Sequence, residues 1–147
     1  MMRRIAGSDR ARFLDMQRAF YNSPAVLAPI PEAFYARNFD EMMRSDVYLE
    51  GYILTSGGDD AGYALVSKSF SPEVGGPVAW IEELYVLPAF QGKGLGSAFL
   101  REFERHSGGK YARIRLEVEK ENEGAVRLYT RLGFRWLQYD QMIKDFI

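Results

Sequence analysis

Two segments of this sequence carry residue types and spacings that could do chemistry. In the first, Ile81-Glu82-Glu83-Leu84-Tyr85-Val86-Leu87-Pro88 runs into Ala89-Phe90-Gln91-Gly92-Lys93-Gly94-Leu95-Gly96-Ser97. A strand delivers the chain to a turn with glycines at alternate positions, and a helix leaves it. Glycine lets backbone approach a ligand closely and take positive φ. Peptide N–H groups at a helix start attract anions, helped by the helix dipole. The arrangement suits a diphosphate. In the second segment, Asn122-Glu123-Gly124-Ala125-Val126-Arg127-Leu128-Tyr129 places Asn122, Ala125 and Tyr129 on one helical face. The small residue between two polar ones leaves a slot for a slender chain, with the Tyr129 hydroxyl at its end. A plainer reading makes Asn122 an N-cap and Tyr129 a packed aromatic.

Two common phosphate loops fail on spacing. The dinucleotide fingerprint needs Gly-x-Gly-x-x-Gly, whereas the glycines here stand at 92, 94 and 96. Gly92-Lys93-Gly94 does not supply the Walker pattern either.

The elements that must position these groups follow from periodicity and punctuation. Met2 to Ile5 reads as a short strand, and Ser8 could cap a helix to Tyr21 with Phe13, Leu14, Met16, Gln17 and Phe20 as its stripe. The proline-rich stretch from Asn22 to Pro31 is a loop, and a second helix follows to Arg44 with Phe34, Phe39 and Met42 or Met43 inward. Tyr48 to Thr55 and Ala61 to Phe70 form a hairpin across Gly57-Gly58-Asp59-Asp60. Val78 to Val86 is a long strand, and Gly94 to His106 is a helix closed by Ser107-Gly108-Gly109. Arg113 to Val118 alternates as a strand. A helix capped by Asn122 ends at Gly133, and Phe134–Leu137 and Gln141–Ile143 close the chain as strands. The fold class is mixed α/β in one domain over residues 1–147.

Together the two segments resemble the GNAT superfamily of acetyl-CoA-dependent N-acetyltransferases. Gln91, Gly94 and Gly96 match its Gln/Arg-x-x-Gly-x-Gly/Ala motif. Asn122, Ala125, Leu128, Tyr129, Gly133 and Phe134 match its Asn-x-x-Ala-x-x-Leu/Phe-Tyr-x-x-x-Gly-Phe motif. The resemblance is strong over residues 78–137. It implies a central, mostly antiparallel twisted sheet of about six or seven strands flanked by about four helices. By the same resemblance, the backbone of Leu84, Tyr85 and Val86 holds the pantetheine arm of acetyl-CoA. The amides of Gln91, Gly92, Lys93, Gly94, Leu95, Gly96 and Ser97 hold the pyrophosphate. Asn122 reaches the pantetheine, and Tyr129 protonates the departing thiolate.

The acceptor amine must lose a proton before it attacks. Glu82 and Glu83 are the candidate bases, since the family's diamine-acetylating members carry an acidic pair at this place. Adjacent strand residues point to opposite faces, so only one of the two is expected in the cleft. One or both could instead be solvated surface carboxylates. Glu117 is a weaker candidate. The resemblance frames the acceptor pocket with Phe20, Tyr21, the loop to Pro31, Phe34 and Tyr35, and with the segment from Ser69 to Pro77 as another rim.

Composition narrows the partners. Nineteen basic and twenty acidic residues give a formal charge of −1, spread evenly, so no basic face for nucleic acid is expected. With no cysteine and one histidine, His106, a metal site has little to build on, and His106 is expected to meet the last carbonyls of its helix. No apolar run is long enough for a membrane span, and the arginines near the N-terminus precede no apolar stretch, so a cytoplasmic protein is expected. The expected partners are acetyl-CoA and a small-molecule or peptide amine, and a homodimer is an open state. Two other readings stay in view: an acyl-CoA sensor without turnover, and a different nucleotide-binding α/β protein.

Overall fold

The computed structural model describes residues 1–147, which divide into two compact units, Met1–Glu117 and Val118–Ile147. The first unit runs β1 (Met2–Arg4), α1 (Arg10–Tyr21), α2 (Glu32–Arg44), β2 (Leu49–Ser56), β3 (Asp59–Ser71), β4 (Gly76–Val86), α3 (Leu95–Ser107) and β5 (Arg113–Leu116). Its five strands form one sheet in the order β1-β2-β3-β4-β5. The first three pairings are antiparallel, and β4 with β5 is parallel. No helix is long and apolar enough to cross a membrane.

Both faces of the sheet are covered, which is why β2 is buried along most of its length. Gly51 and Ile53 face the α1–α2 side, where Ile5, Phe13, Met16, Phe20, Phe39, Met42, Tyr63 and Leu65 complete the core. Tyr52, one residue out of phase, faces the other side and packs on Phe99 and Phe103 of α3 at ring separations of 5.8 and 5.9 Å. The hairpin between β2 and β3 turns on Gly57 and Gly58 alone, at φ +61° and +90°. Positive φ at both positions matches the twist of the strands and requires glycine.

α1 buries Phe13, Met16, Gln17 and Phe20, four of the five positions in its expected stripe. Its start differs from the expectation: a 3-10 turn, Gly7–Asp9, precedes it, so Ser8 does not cap it. Asp9 instead accepts the Ala6 N–H at 2.8 Å and pairs with the Arg3 guanidinium, which holds its carboxyl below the usual range. In α2 the inward residues are Tyr35, Phe39 and Met42.

The second unit contains α4 (Glu123–Arg131), ended by Gly133 at φ +92°. Residues 134–147 form neither helix nor strand, so Phe134–Leu137 and Gln141–Ile143 are not strands and the sheet has five. A ladder needs a partner edge in register, and these segments pair with none.

Candidate active site

The first component of the site is the junction of β4 and α3. β4 pairs with β5 only from Val78 to Ile81, so Glu82 to Val86 run on without a β5 partner and their backbone has no β5 ladder to join. A 3-10 turn, Pro88–Phe90, and the tight turn through Gly92 and Gly94 then deliver the chain to α3. Both glycines are left-handed, at φ +74° and +75°, and open space lies where a Cβ would stand. Gly94 caps α3, and the Ala98 N–H closes the first helical bond on its carbonyl at 2.9 Å. The N–H groups of Leu95, Gly96 and Ser97 therefore precede the hydrogen-bond ladder and point out of the helix end. The Gln91 amide side chain donates to Val86 C=O at 2.9 Å and ties the turn to the end of β4. Its own N–H is already bonded to Pro88 C=O, so the Gln91 contribution is to shape the turn. Lys93 is exposed and lies over the Phe90 ring at 5.3 Å.

The second component is the acidic pair, and here the structure corrects the alternation argument. Leu65 pairs with Glu83 while Val66 pairs with Ile81, which makes Glu82 the extra residue of a β-bulge. The bulge resets the alternation, and both carboxylates line one cleft of about 320 Å³. Tyr21, Ile30, Phe34, Asn38 and Ser67 form much of the rest of its wall. Phe20 and Tyr35 are buried in packing instead, and the segment 69–77 takes no part.

The two acids differ sharply. Glu82 is exposed and accepts the Ser67 hydroxyl at 2.5 Å. Glu83 is 5% exposed and is held entirely by neutral donors. The Tyr21 hydroxyl donates to Oε1 at 2.6 Å, and the Tyr63 hydroxyl donates to Oε2 at 2.7 Å. Gln17 Nε2 sits between the two oxygens, at 3.2 and 3.1 Å. Burial pushes the Glu83 carboxyl above its ordinary value. The bonds from Tyr21, Tyr63 and Gln17 pull it partway back, and the charge of Glu82 adds to the rise. Burial, with the Glu83 charge next, also pushes the phenols of Tyr21 and Tyr63 up, so both remain protonated donors.

Gln17 and Tyr63 were not marked as site residues by the sequence. Gln17 left one signal, a polar side chain inside the apolar stripe of α1. Tyr63, fully buried on β3, left none. Glu117 is exposed just beyond β5, and the His106 Nδ1–H meets the Glu102 carbonyl at 2.9 Å as a helix-end contact. No group of three or more His, Asp or Glu side chains is placed to hold a metal ion.

In the second unit, Asn122 caps α4, its Oδ1 accepting the Ala125 N–H at 3.2 Å. Tyr129 is half-buried, with its ring edge-on to Phe134 at 5.9 Å. Burial raises its phenol, which keeps it protonated near neutral pH.

A glycine turn at a helix N-terminus, fed by a strand that bulges beside a buried carboxylate, is the arrangement of an α/β protein with open N–H groups suited to a phosphorylated cofactor. The family follows from comparison with known proteins. The sequence profile of the Acetyltransferase (GNAT) family matches residues 12–134, and the chain belongs to that family, whose members are acyltransferases using acetyl-CoA as co-substrate. It is 36% identical over 59 residues to the spermine/spermidine N(1)-acetyltransferase of Bacillus subtilis, covering 39% of each chain. It is 34% identical over 94 residues to the streptothricin acetyltransferase of Streptomyces lavendulae, covering 58% of this chain and 44% of that one. The alignments thus span less than half the length of these two relatives. A possible acetyltransferase from Clostridium difficile 630 shares the fold, with a TM-score of 0.85 at 15% identity over 100% of this chain and 97% of that one.

Proposed function

We propose that the whole chain, residues 1–147, acts as one catalytic domain that moves an acetyl group from acetyl-CoA to a primary amine by direct attack. The observation that carries this reading is Glu83: a buried carboxylate with a raised pKa, on the strand that feeds the glycine turn, in the wall of a cleft. Such a group is suited to accept a proton from an amine near neutral pH. Aromatic walls and the exposed charge of Glu82 suit a cationic acceptor. The two relatives named for spermine/spermidine and streptothricin acetylation support an amine as acceptor.

In this scheme the N–H groups at the start of α3 and the turn through Gly92 and Gly94 hold the diphosphate. Leu84 to Val86 hold the pantetheine arm, and the Asn122 amide adds a contact. Acetyl-CoA supplies the activated thioester. The ammonium of the acceptor gives one proton to Glu83, and the neutral amine attacks the carbonyl carbon. The C–N bond forms, the C–S bond breaks, Tyr129 gives its proton to the thiolate, and the Tyr129 oxygen takes up the amine's second proton. No covalent enzyme intermediate is required. A monomer and a homodimer serve equally, since every group comes from one chain, and a cytoplasmic setting belongs to the same reading.

The test is a panel of primary amines with acetyl-CoA, followed by free-thiol release, beside calorimetry of acetyl-CoA binding. Binding with turnover of at least one amine is expected. Binding without turnover of any amine would turn the reading toward a sensor, and no binding at millimolar ligand would end it. Tyr129→Phe is expected to lower turnover about 100-fold with acetyl-CoA affinity unchanged, and an unaltered rate would remove Tyr129 from the acid role.

A further inference from the structure

The hydrogen bonds around Glu83 limit how a proton can reach it. A carboxylate offers about four lone-pair sites, two on each oxygen. Oε1 already receives Tyr21 at 2.6 Å and Gln17 at 3.2 Å, while Oε2 receives Tyr63 at 2.7 Å and Gln17 at 3.1 Å. Gln17 Nε2 straddles the pair, so each oxygen has two donor atoms within hydrogen-bond distance. An ammonium in the cleft meets a Glu83 whose oxygens are already engaged, although that residue borders the cleft. The donors already in place offer the proton a ready path.

Two of those donors are closed to the cleft. Gln17 and Tyr63 are 0% exposed, and neither is among the residues lining it. Tyr21 is half-buried and forms part of the wall. While it donates to Glu83, its oxygen keeps lone pairs that can accept from a substrate N–H. Its ring is clamped by Phe20, edge-on at 5.1 Å, and by Tyr35, stacked at 5.9 Å, so the hydroxyl is held in place. Resting on the acetyltransferase reading above, we infer that Tyr21 relays the acceptor's proton: its oxygen takes the proton from the ammonium as its own passes to Glu83 Oε1.

The step balances. One N–H bond of the ammonium breaks, one O–H bond forms on Tyr21, the original Tyr21 O–H breaks, and one O–H forms on Glu83. Ammonium and carboxylate become amine and carboxylic acid, and Tyr21 ends as it began. The neighbouring charges favour this direction. Burial and the Glu83 charge disfavour a standing Tyr21 phenolate, so the hydroxyl is a conduit and Glu83 is the store. The titratable groups around the pair are Glu82 on β4, Tyr63 on β3 and Tyr35 on α2. Arg18 of α1, over the Tyr35 ring at 5.9 Å, is engaged by Asp15 and Glu32.

The experiment measures thiol release against pH with an amine that the wild-type protein turns over, for Tyr21→Phe, Glu83→Gln and the double variant. Tyr21→Phe should lower kcat about 100-fold, leave KM for acetyl-CoA unchanged and flatten the acidic limb of the rate profile. The double variant should lose no more than the worse single one, because both interrupt one path. A Tyr21→Phe enzyme with the wild-type rate and acidic limb overturns the relay, as do losses that multiply in the double variant. Should Tyr21→Phe fail to fold, fluorotyrosine at position 21 keeps ring and hydroxyl while weakening the oxygen as a base. A fall in kcat of several-fold then supports the relay, and an unchanged kcat overturns it. If the wild type turns over no amine, the acetyltransferase reading fails and the relay with it. Wild-type turnover with an unaffected Tyr21→Phe sinks the relay alone.

Discussion

Two glutamates of this molecule show equally little surface to solvent and behave in opposite ways. Glu50 of β2 and Glu83 of β4 are each 5% exposed, and each accepts a tyrosine hydroxyl at 2.7 Å, from Tyr52 and Tyr63 respectively. They lie on opposite faces of the sheet. Glu83 meets α1, while Glu50 lines a cavity of about 290 Å³ beside Phe103 and His106 of α3. Their remaining partners separate them. Glu50 is paired with Lys68 Nζ and with Arg4 at 3.0 Å, whereas Glu83 has only the amide of Gln17 and a second phenol. Burial alone would raise both carboxyls. Lys68, the Tyr52 hydroxyl and Arg4 together reverse that for Glu50, which falls below its ordinary value, while neutral donors only moderate the rise at the more deeply placed Glu83. Depth and the charge of the partners together set how readily a buried carboxylate takes a proton.

The linkage signs follow. The folded-state pKa of Glu50 is lowered, so its contribution to stability is present above the ordinary glutamate value and is lost as pH falls through the depressed one. Glu83 is raised. Its contribution is complete below the ordinary value and is lost as pH climbs through the raised one, where charging it in the interior opposes folding.

The comparison can be broken most directly at Glu83. Glu83→Gln should reduce turnover about 1000-fold without loss of thermal stability at neutral pH, because the tyrosine hydroxyls and Gln17 can rotate to partner an amide. Rate retention within a few-fold would show that the difference between the two acids has no catalytic meaning. A second change makes one site imitate the other. Gln17→Lys would place a cation against Glu83 as Lys68 stands against Glu50, and turnover should fall about 10- to 100-fold. The acidic limb of its rate profile should move to lower pH, and a limb that stays in place would contradict the partner-charge argument. The smallest effect is expected at the other acid. Glu50→Gln should leave turnover within about two-fold yet cost about 1–2 kcal/mol at neutral pH, modest because Arg4 is half-exposed and can hydrate and Lys68 keeps its pairing with Asp46. Urea melts at neutral and acidic pH check this, since the deficit should shrink toward low pH, where Glu50 itself is protonated.

Much of the scaffold was legible in the sequence because its signals are local. Gly57-Gly58-Asp59-Asp60 announces a hairpin turn, the prolines between 22 and 31 mark a loop, and the stripe of α1 follows from its own spacing. Gly92 and Gly94 carry the positive φ that the turn before α3 demands, so the start of that helix could be placed without a partner. The ends of the chain were harder. The strands expected at Phe134–Leu137 and Gln141–Ile143 did not form, because pairing belongs to two segments at once and cannot be read from one.

By itself, then, the sequence determined the order of strands and helices as far as α4, the glycine turn, the capping of α4 by Asn122 and the pair of acids before the turn. Tertiary structure decided what surrounds those acids. The bulge at Glu82 exists only in the register between β3 and β4, and it overrides the alternation that would have sent one acid to each face. Glu83 then meets Gln17 and Tyr21, 66 and 62 positions away, and Tyr63, 20 positions away. A carboxyl's affinity for a proton is set by what surrounds it in space, and those neighbours are assembled only when α1, β3 and β4 have packed together.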